Sequence, residues 1–175
     1  MNIEINYFNE SHQIARKSIS QFVERHISPY INEWEEQGTF PRELYKLAGE
    51  AGILGIGYSE EFGGSGLNDT FMKIVASEEL MRSSSGGLVA SLGSIDIALP
   101  PIAQWGNQTL KEKIIPQVLK GEKIAALAIT EPGAGSDVAN IKTKAIKEGN
   151  FYRVNGSKMF ITSGIRADYY TVAVR

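Results

Sequence analysis

The chain has 175 residues, with 18 Lys and Arg against 20 Asp and Glu, for a formal net charge of −2. This near-neutral balance, with no basic run, argues against a nucleic-acid partner, and the absence of cysteine excludes disulfide frameworks, thiolate metal sites and cysteine nucleophiles. At ~150 residues per domain the length allows one domain or slightly more, and a 42% hydrophobic share suffices for a real core.

In chain order, Ile14, Ala15, Ile19, Phe22, Val23 and Ile27 recur at helical spacing and predict a helix from Ser11 to Ile27. The only histidines, His12 and His26, fall on it and read as surface or half-buried positions rather than ligands. Pro29 fits the first turn of a second helix through Ile31 and Trp34, ended by Gly38. Pro41 opens a third, with Leu44, Leu47 and Ala48 on one face, ended near Gly52. A loop with Gly55, Gly57, Gly63, Gly64 and Gly66 follows. Asn68 or Asp69 caps the next helix, striped by Phe71, Ile74, Val75 and Met81. Glu78 and Glu79 on that helix read as a solvated face with Arg82 as a partner one turn on. Leu88 to Leu99 is mostly apolar and predicts one buried helix, stopped by Pro100 and Pro101. Thr109 with Glu112 predicts a capping box for a last helix, which Pro116 breaks or kinks.

The character changes at Lys123. Ile124 to Thr130 fits a short buried strand, and its longest apolar run is far below the ~20 residues of a membrane span. The loop Glu131-Pro132-Gly133-Ala134-Gly135-Ser136-Asp137 follows. Lys142 to Lys147 and Phe151 to Val154 flank Glu148-Gly149-Asn150 as a hairpin, Lys158 to Ser163 predicts a further strand, and Tyr169 to Val174 another. The fold class expected is therefore α+β: an all-α helical domain over residues 1–122, then an antiparallel β segment over 123–175. The apolar run Tyr169 to Val174 would leave an exposed edge strand, so the chain is expected to be a piece of a longer protein or to pair there with another chain. The start, Met1-Asn2-Ile3-Glu4, lacks a signal-peptide or transit-peptide pattern, so the expected location is cytoplasmic.

The familiar nucleotide motifs fail. There is no Gly-x-Gly-x-x-Gly, because Val138 stands where the third glycine after Gly133 and Gly135 belongs, and there is no P-loop. No metal-ligand spacing is present. The loop after the strand is the one strong signal. Glycines without Cβ atoms let backbone N–H groups approach an anion, Pro132 stiffens the turn, and the Ser136 and Thr130 hydroxyls can donate. On residue types alone it reads either as a ligand loop or as a tight β turn.

The stretch Ala128-Ile129-Thr130-Glu131-Pro132-Gly133-Ala134-Gly135-Ser136-Asp137 resembles the flavin-loop signature of the acyl-CoA dehydrogenases. Gly52-Ile53-Leu54-Gly55-Ile56 and Glu60-Glu61-Phe62-Gly63-Gly64-Ser65-Gly66-Leu67 resemble the glycine-rich segment of that family's helical domain. Leu99-Pro100-Pro101-Ile102 with Gly106, then Lys111 to Pro116 and Gly121-Glu122, resemble its helix-to-sheet connection. Asn155-Gly156-Ser157-Lys158-Met159-Phe160-Ile161-Thr162-Ser163-Gly164 resembles its second flavin motif. The matches run in order along nearly the whole chain. Two positions depart from many relatives: Phe160 stands in place of Trp, and Ser59 in place of Pro.

The resemblance implies a flavoenzyme of three domains, helical, β-barrel-like and helical, of which this chain would hold the first and the first half of an antiparallel β-barrel-like middle domain. FAD would be bound by Leu127, Ile129, Thr130, Gly135, Ser136, Phe160, Ile161 and Thr162, with Thr130 on the pyrimidine side and the Thr162 hydroxyl toward flavin N5. Ser136 would meet both phosphate and the acyl-CoA substrate, and small residues around Ala90, Ser91, Gly93 and Ser94 would lie by the acyl pocket. The implied reaction removes the α proton of a thioester and passes the β hydrogen as hydride to the flavin. The family's base is a glutamate of the C-terminal helical domain, expected beyond Arg175, so no catalytic residue is assigned here and Glu131 is read as structural. The implied acceptor is an electron-transferring flavoprotein, and the implied assembly a homodimer or homotetramer. Related flavin enzymes on the same scaffold (acyl-CoA oxidase, nitroalkane oxidase, flavin monooxygenase) and a non-catalytic flavin or acyl-CoA-binding module are the alternatives.

Overall fold

The structure is a computed structural model that describes residues 7–66 and 69–175. Helix α1 (Glu10–His26) starts from Asn9, whose side chain accepts from the His12 N–H at 3.1 Å while His12 Nδ1 accepts from the Asn9 N–H at 3.0 Å. With Nδ1 accepting, Nε2 carries the proton and donates to Asp69 Oδ2 at 2.8 Å. Both ring nitrogens are satisfied, so His12 is buried at 3% exposure, against the expectation of a surface or half-buried position.

Helices α2 (Ile31–Gln37) and α3 (Glu43–Glu50) follow, the first ended by left-handed Gly38 as predicted, although Pro29 lies in the turn ahead of α2 rather than in its first turn. Helix α4 (Thr70–Met81) is capped by Asp69, which accepts from the Phe71 N–H at 2.8 Å; the alternative cap, Asn68, lies outside the described residues. The buried face of α4 is Met72, Val75, Ala76 and Leu80, whereas Ile74 and Met81 of the predicted stripe are exposed. Helices α1 and α4 pack on each other, and Arg16 donates to Glu78 at 2.6 Å and to Glu79 at 2.7 Å. Glu79 is 3% exposed, so it is a buried ion-pair member rather than part of a solvated face.

The predicted helix Leu88–Leu99 is instead two, α5 (Gly86–Leu92) and α6 (Ile95–Ala98). The chain breaks at Gly93-Ser94, where the buried Ser94 hydroxyl donates to the Ala125 carbonyl at 3.0 Å. Pro100 and Pro101 start α7 (Pro100–Trp105) rather than merely stopping its predecessor, because a first turn needs no N–H from them. Helix α8 (Gln108–Leu119) is capped by Asn107, not by Thr109, and runs through Pro116 to Leu119 with Ile114, Ile115, Val118 and Leu119 buried. The core is shared by both halves of the chain: Ile27, Val75, Leu92, Leu99, Ile115, Val118 and Ile124 are fully enclosed. Among the described residues, no single helix is long and apolar enough to cross a membrane.

The β region departs from expectation. Strand β1 (Ala125–Ala128) pairs in parallel with β4 (Tyr169–Val172), in register Ala125↔Tyr169 to Ala128↔Val172. Only β2 (Lys144–Glu148) and β3 (Phe151–Asn155) form the predicted antiparallel hairpin. The segment Lys158–Ser163, predicted as a strand, is turn and coil. No sheet closes among the described residues, so the region is two small two-stranded sheets and not a barrel. A parallel pair needs a connection of at least roughly a dozen residues, and the loop, the hairpin and residues 156–168 together form it. The end of the chain turns onto the hairpin, with the Arg175 N–H donating to Thr143 O at 2.9 Å and the Ala145 N–H to Arg175 O at 2.7 Å.

Three links fix the helices to β1 and β4. Thr171 donates to Ala98 O at 2.7 Å, Ser94 reaches Ala125 O, and Asp168 accepts from the Ile124 N–H at 2.8 Å while paired with Arg42 and Lys123. Gly121, between α8 and β1, has φ +69°, and a Cβ there would stand 1.9 Å from the Tyr45 carbonyl oxygen. Both the left-handed backbone and the clash forbid a side chain. Gly121→Ala is therefore expected to lower the unfolding free energy by about 2 kcal/mol or more, read from urea denaturation; an unchanged midpoint would show that this junction yields.

Candidate functional site

Strand β1 delivers Leu127 half-buried against the core and then Ile129 and Thr130, also half-buried, to its end. The chain reverses over Pro132-Gly133, with the Glu131 N–H donating to Ala134 O at 3.0 Å and the Ala134 N–H to Glu131 O at 3.1 Å. Proline at the first central position presets φ for this turn. Gly135 and Ser136 emerge from it exposed.

Beneath the turn the Glu131 carboxylate is buried and accepts from the Lys142 N–H at 2.6 Å, the Thr143 N–H at 2.9 Å, the Thr143 hydroxyl, and Lys158 Nζ at 2.8 Å. Lys158 foremost, then the Thr143 hydroxyl and the two N–H groups, outweigh desolvation and lower its pKa from an ordinary 4.5 to about 2.

Lys158 Nζ also donates to Ile129 O at 2.8 Å, and the Met159 N–H to Thr130 O at 2.9 Å. The two segments that resemble flavin motifs thus lie edge to edge. The second one then runs through Phe160 at φ +56° and Ser163 at φ +61°. Left-handed backbone costs a bulky side chain free energy and persists only where the surroundings impose it, as at binding sites. Phe160 is 85% exposed, Ile161 half-buried and Thr162 exposed.

A cleft of about 720 Å³ lies between the helices and this segment, walled by Trp34, Phe40 and Leu88 on one side and by Met159, Phe160, Ile161 and Arg166 on the other. Of the residues predicted to bind the flavin, Phe160 and Ile161 line it. Leu127, Ile129, Thr130, Gly135, Ser136 and Thr162 do not; they lie along β1, on the loop and beside the cleft wall. A smaller recess of about 310 Å³ under the loop is bordered by Glu131, Pro132, Gly133, Thr143, Gly156 and Ser157.

The residues present fit a flavin nucleotide. Among the described residues, the hydroxyls of Thr130, Ser136 and Thr162 hydrogen-bond to no protein group, so all three can serve a ligand. Gly133 and Gly135 have no positive φ, and a Cβ on either would meet nothing within 4 Å. The fold itself makes no demand for glycine there, whereas close approach of an anionic group to the backbone N–H groups does.

Sequence reasoning missed Lys158, Tyr45, Arg166 and Asp168. Lys158 stands inside a quoted motif, but nothing local signals that its partner lies 27 residues back. Arg166 places its guanidinium 4.5 Å from the Phe40 ring centre and donates to Phe40 O at 2.8 Å.

Residues 9–122 match the family model for the acyl-CoA dehydrogenase N-terminal domain, and residues 126–175 that for the acyl-CoA dehydrogenase middle domain. The chain is 42% identical to the mitochondrial long-chain specific acyl-CoA dehydrogenase of Rattus norvegicus over 94% of its own length and 38% of that protein. It is 38% identical to the mitochondrial isovaleryl-CoA dehydrogenase of Bos taurus, over 96% of its length and 40% of that protein. A probable acyl-CoA dehydrogenase from Mycobacterium abscessus superposes with a TM-score of 0.92 at 44% identity, over 97% of this chain and 45% of that one. An acyl-CoA dehydrogenase from Bacillus anthracis, solved complexed with FAD, superposes with a TM-score of 0.89 at 34% identity, over 99% of this chain and 30% of that one. The chain thus spans less than half the length of these relatives. With helical domain, sheet and signature segments matched in order, it belongs to the acyl-CoA dehydrogenase family.

Proposed function

We propose that this chain supplies the flavin-binding surface and part of the substrate site of an FAD-dependent enzyme that dehydrogenates acyl-CoA thioesters across the α,β bond. The observation that carries this is the joining of the two signature segments by Lys158 and by the Met159–Thr130 hydrogen bond. When bound, FAD would supply the acceptor for the β hydrogen of the thioester. The residues of the chain bind and orient. Thr130 and Thr162 offer hydroxyls to the polar atoms of the ring, and Thr162 donates toward charge that develops on reduction. Leu127, Ile129, Phe160 and Ile161 give the ring apolar cover and exclude water. The open backbone at Gly133 and Gly135 and the Ser136 hydroxyl suit phosphate, with Ser136 also serving the acyl-CoA.

The proton is taken by a base from outside these residues. Glu131 is unsuited, because its oxygens already accept from four donors and a carboxylate held at about 2 has little affinity for a proton at neutral pH. An electron-transferring flavoprotein is the acceptor proposed with this activity.

A protein in which this chain is joined to a domain that carries the base is expected to be yellow or to take up added FAD, and its flavin band to bleach on addition of acyl-CoA under nitrogen, whereas these 175 residues alone are expected not to turn over. Failure to bind FAD sinks the proposal, and rapid oxygen consumption without a second acceptor would favour an oxidase. Gly135→Ala is expected to leave the unfolding free energy within about 0.5 kcal/mol of the parent, read from urea denaturation, while weakening FAD binding by about tenfold. Loss of stability instead of affinity would assign this glycine to the fold.

Glu131 has a lowered folded-state pKa, so the stability it contributes is complete above its ordinary 4.5 and drains away as pH falls toward about 2. Thermal melts between pH 7 and pH 2 are expected to show Glu131→Gln less stable at neutral pH and converging on the parent in acid. Parallel curves would show that the carboxylate is not stabilised in the fold.

A further inference from the structure

Tyr45 is 1% exposed on α3, stacked on Phe40 with ring centres 5.7 Å apart. A phenylalanine would serve that packing as well, so the hydroxyl needs its own explanation. It lies 3.2 Å from the Ser91 carbonyl oxygen and 3.2 Å from Ser163 Oγ. A carbonyl only accepts, so the Tyr45 proton goes to Ser91 and the Ser163 hydroxyl donates to the Tyr45 oxygen. Burial foremost pushes the Tyr45 pKa up, which keeps that proton in place at neutral pH.

Ser163 is one of the left-handed residues, and it directly follows Thr162. Among the described residues its hydroxyl has no other partner. Other links from the helical domain grip the chain further on: Arg42 donates to Arg166 O at 2.8 Å, and Arg166 holds Phe40 O. Tyr45 alone among these reaches the segment that carries Phe160, Ile161 and Thr162.

We infer that Tyr45 is a positioning residue, which holds Ser163 from the helical domain and so fixes how Phe160, Ile161 and Thr162 are presented to the flavin. The inference rests on the proposed function for the identity of what is presented, but the link itself is testable without flavin. The variants are Tyr45→Phe, which keeps the ring and its stack, Ser163→Ala, and the pair. In flavin-free protein, hydrogen exchange over residues 161–164 is expected to quicken roughly threefold to tenfold in Tyr45→Phe, the scale of one lost hydrogen bond. In FAD-loaded protein the visible circular dichroism of the flavin is expected to change, and FAD to bind roughly threefold to tenfold more weakly. The double variant should match the single ones, since both cut one link. Unchanged exchange in a folded Tyr45→Phe protein overturns the inference, as does an unchanged flavin signal or strict additivity in the double variant. A parent protein that takes up no FAD overturns the proposed function instead, and the exchange measurement still decides whether Tyr45 holds the segment.

Discussion

The buried carboxylate of Glu131 is the constraint on which the site depends. A carboxylate taken out of water is costly unless it is paired and hydrogen-bonded. Here the cost is met by donors from two stretches, Lys142 with Thr143 and Lys158, that flank the β2–β3 hairpin and are brought side by side at its open end. Once assembled, the cluster fixes the Pro132-Gly133 turn above it and draws Lys158 close enough to hold Ile129 O as well. The same saturation that makes Glu131 a good anchor removes it from proton transfer.

A second carboxylate fixes how the helices meet the sheet. Burial alone would raise the Asp168 carboxyl, but the Ile124 N–H, Arg42 and Lys123 outweigh it and hold it below the usual range. Arg42 begins α3, Ile124 precedes β1 and Asp168 precedes β4, so one side chain ties the helical domain to both paired strands. Exposed ion pairs contribute little by themselves. What gives this one consequence is its backbone partner, because the Ile124 N–H lies where the parallel pair starts. Two residues before Asp168, Arg166 lines the cleft in contact with Phe40.

Helices were legible in the sequence because their signals are local. Periodic apolar residues located α1 and α3, and Gly38 ended α2 where a left-handed residue was needed. Misreadings arose where a distant partner decided the outcome. His12 and Asp69 lie 57 residues apart, and Arg16 and Glu79 lie 63 apart, so spacing within one helix could not reveal that either was buried. The parallel pairing of β1 with β4 failed for the same reason, since hairpin signals report only neighbours. The segment Lys158–Ser163 failed differently. Its apolar residues suit a strand, yet Phe160 and Ser163 have positive φ, which a pleated strand excludes and which residue identity does not announce. Of the site, the loop was legible as a motif, while the ion pair that holds it was not.

The glycines make the distinction between fold and ligand sharper than any motif does. At Gly121 the chain needs a left-handed φ and the absence of a Cβ against Tyr45 O, and folding alone accounts for the residue. At Gly133 and Gly135 neither demand exists: the backbone is ordinary and the space is open. Glycine loses more entropy on folding than any other residue, so placing two of them at positions an alanine could occupy costs stability with no return inside the chain. Such open backbone can admit a group that lies closer to it than a methyl group would allow, which is the role proposed for this loop. The tight turn is real and explains Pro132 and the pairing of Glu131 with Ala134, while its geometry leaves Gly133 and Gly135 open to the proposed ligand.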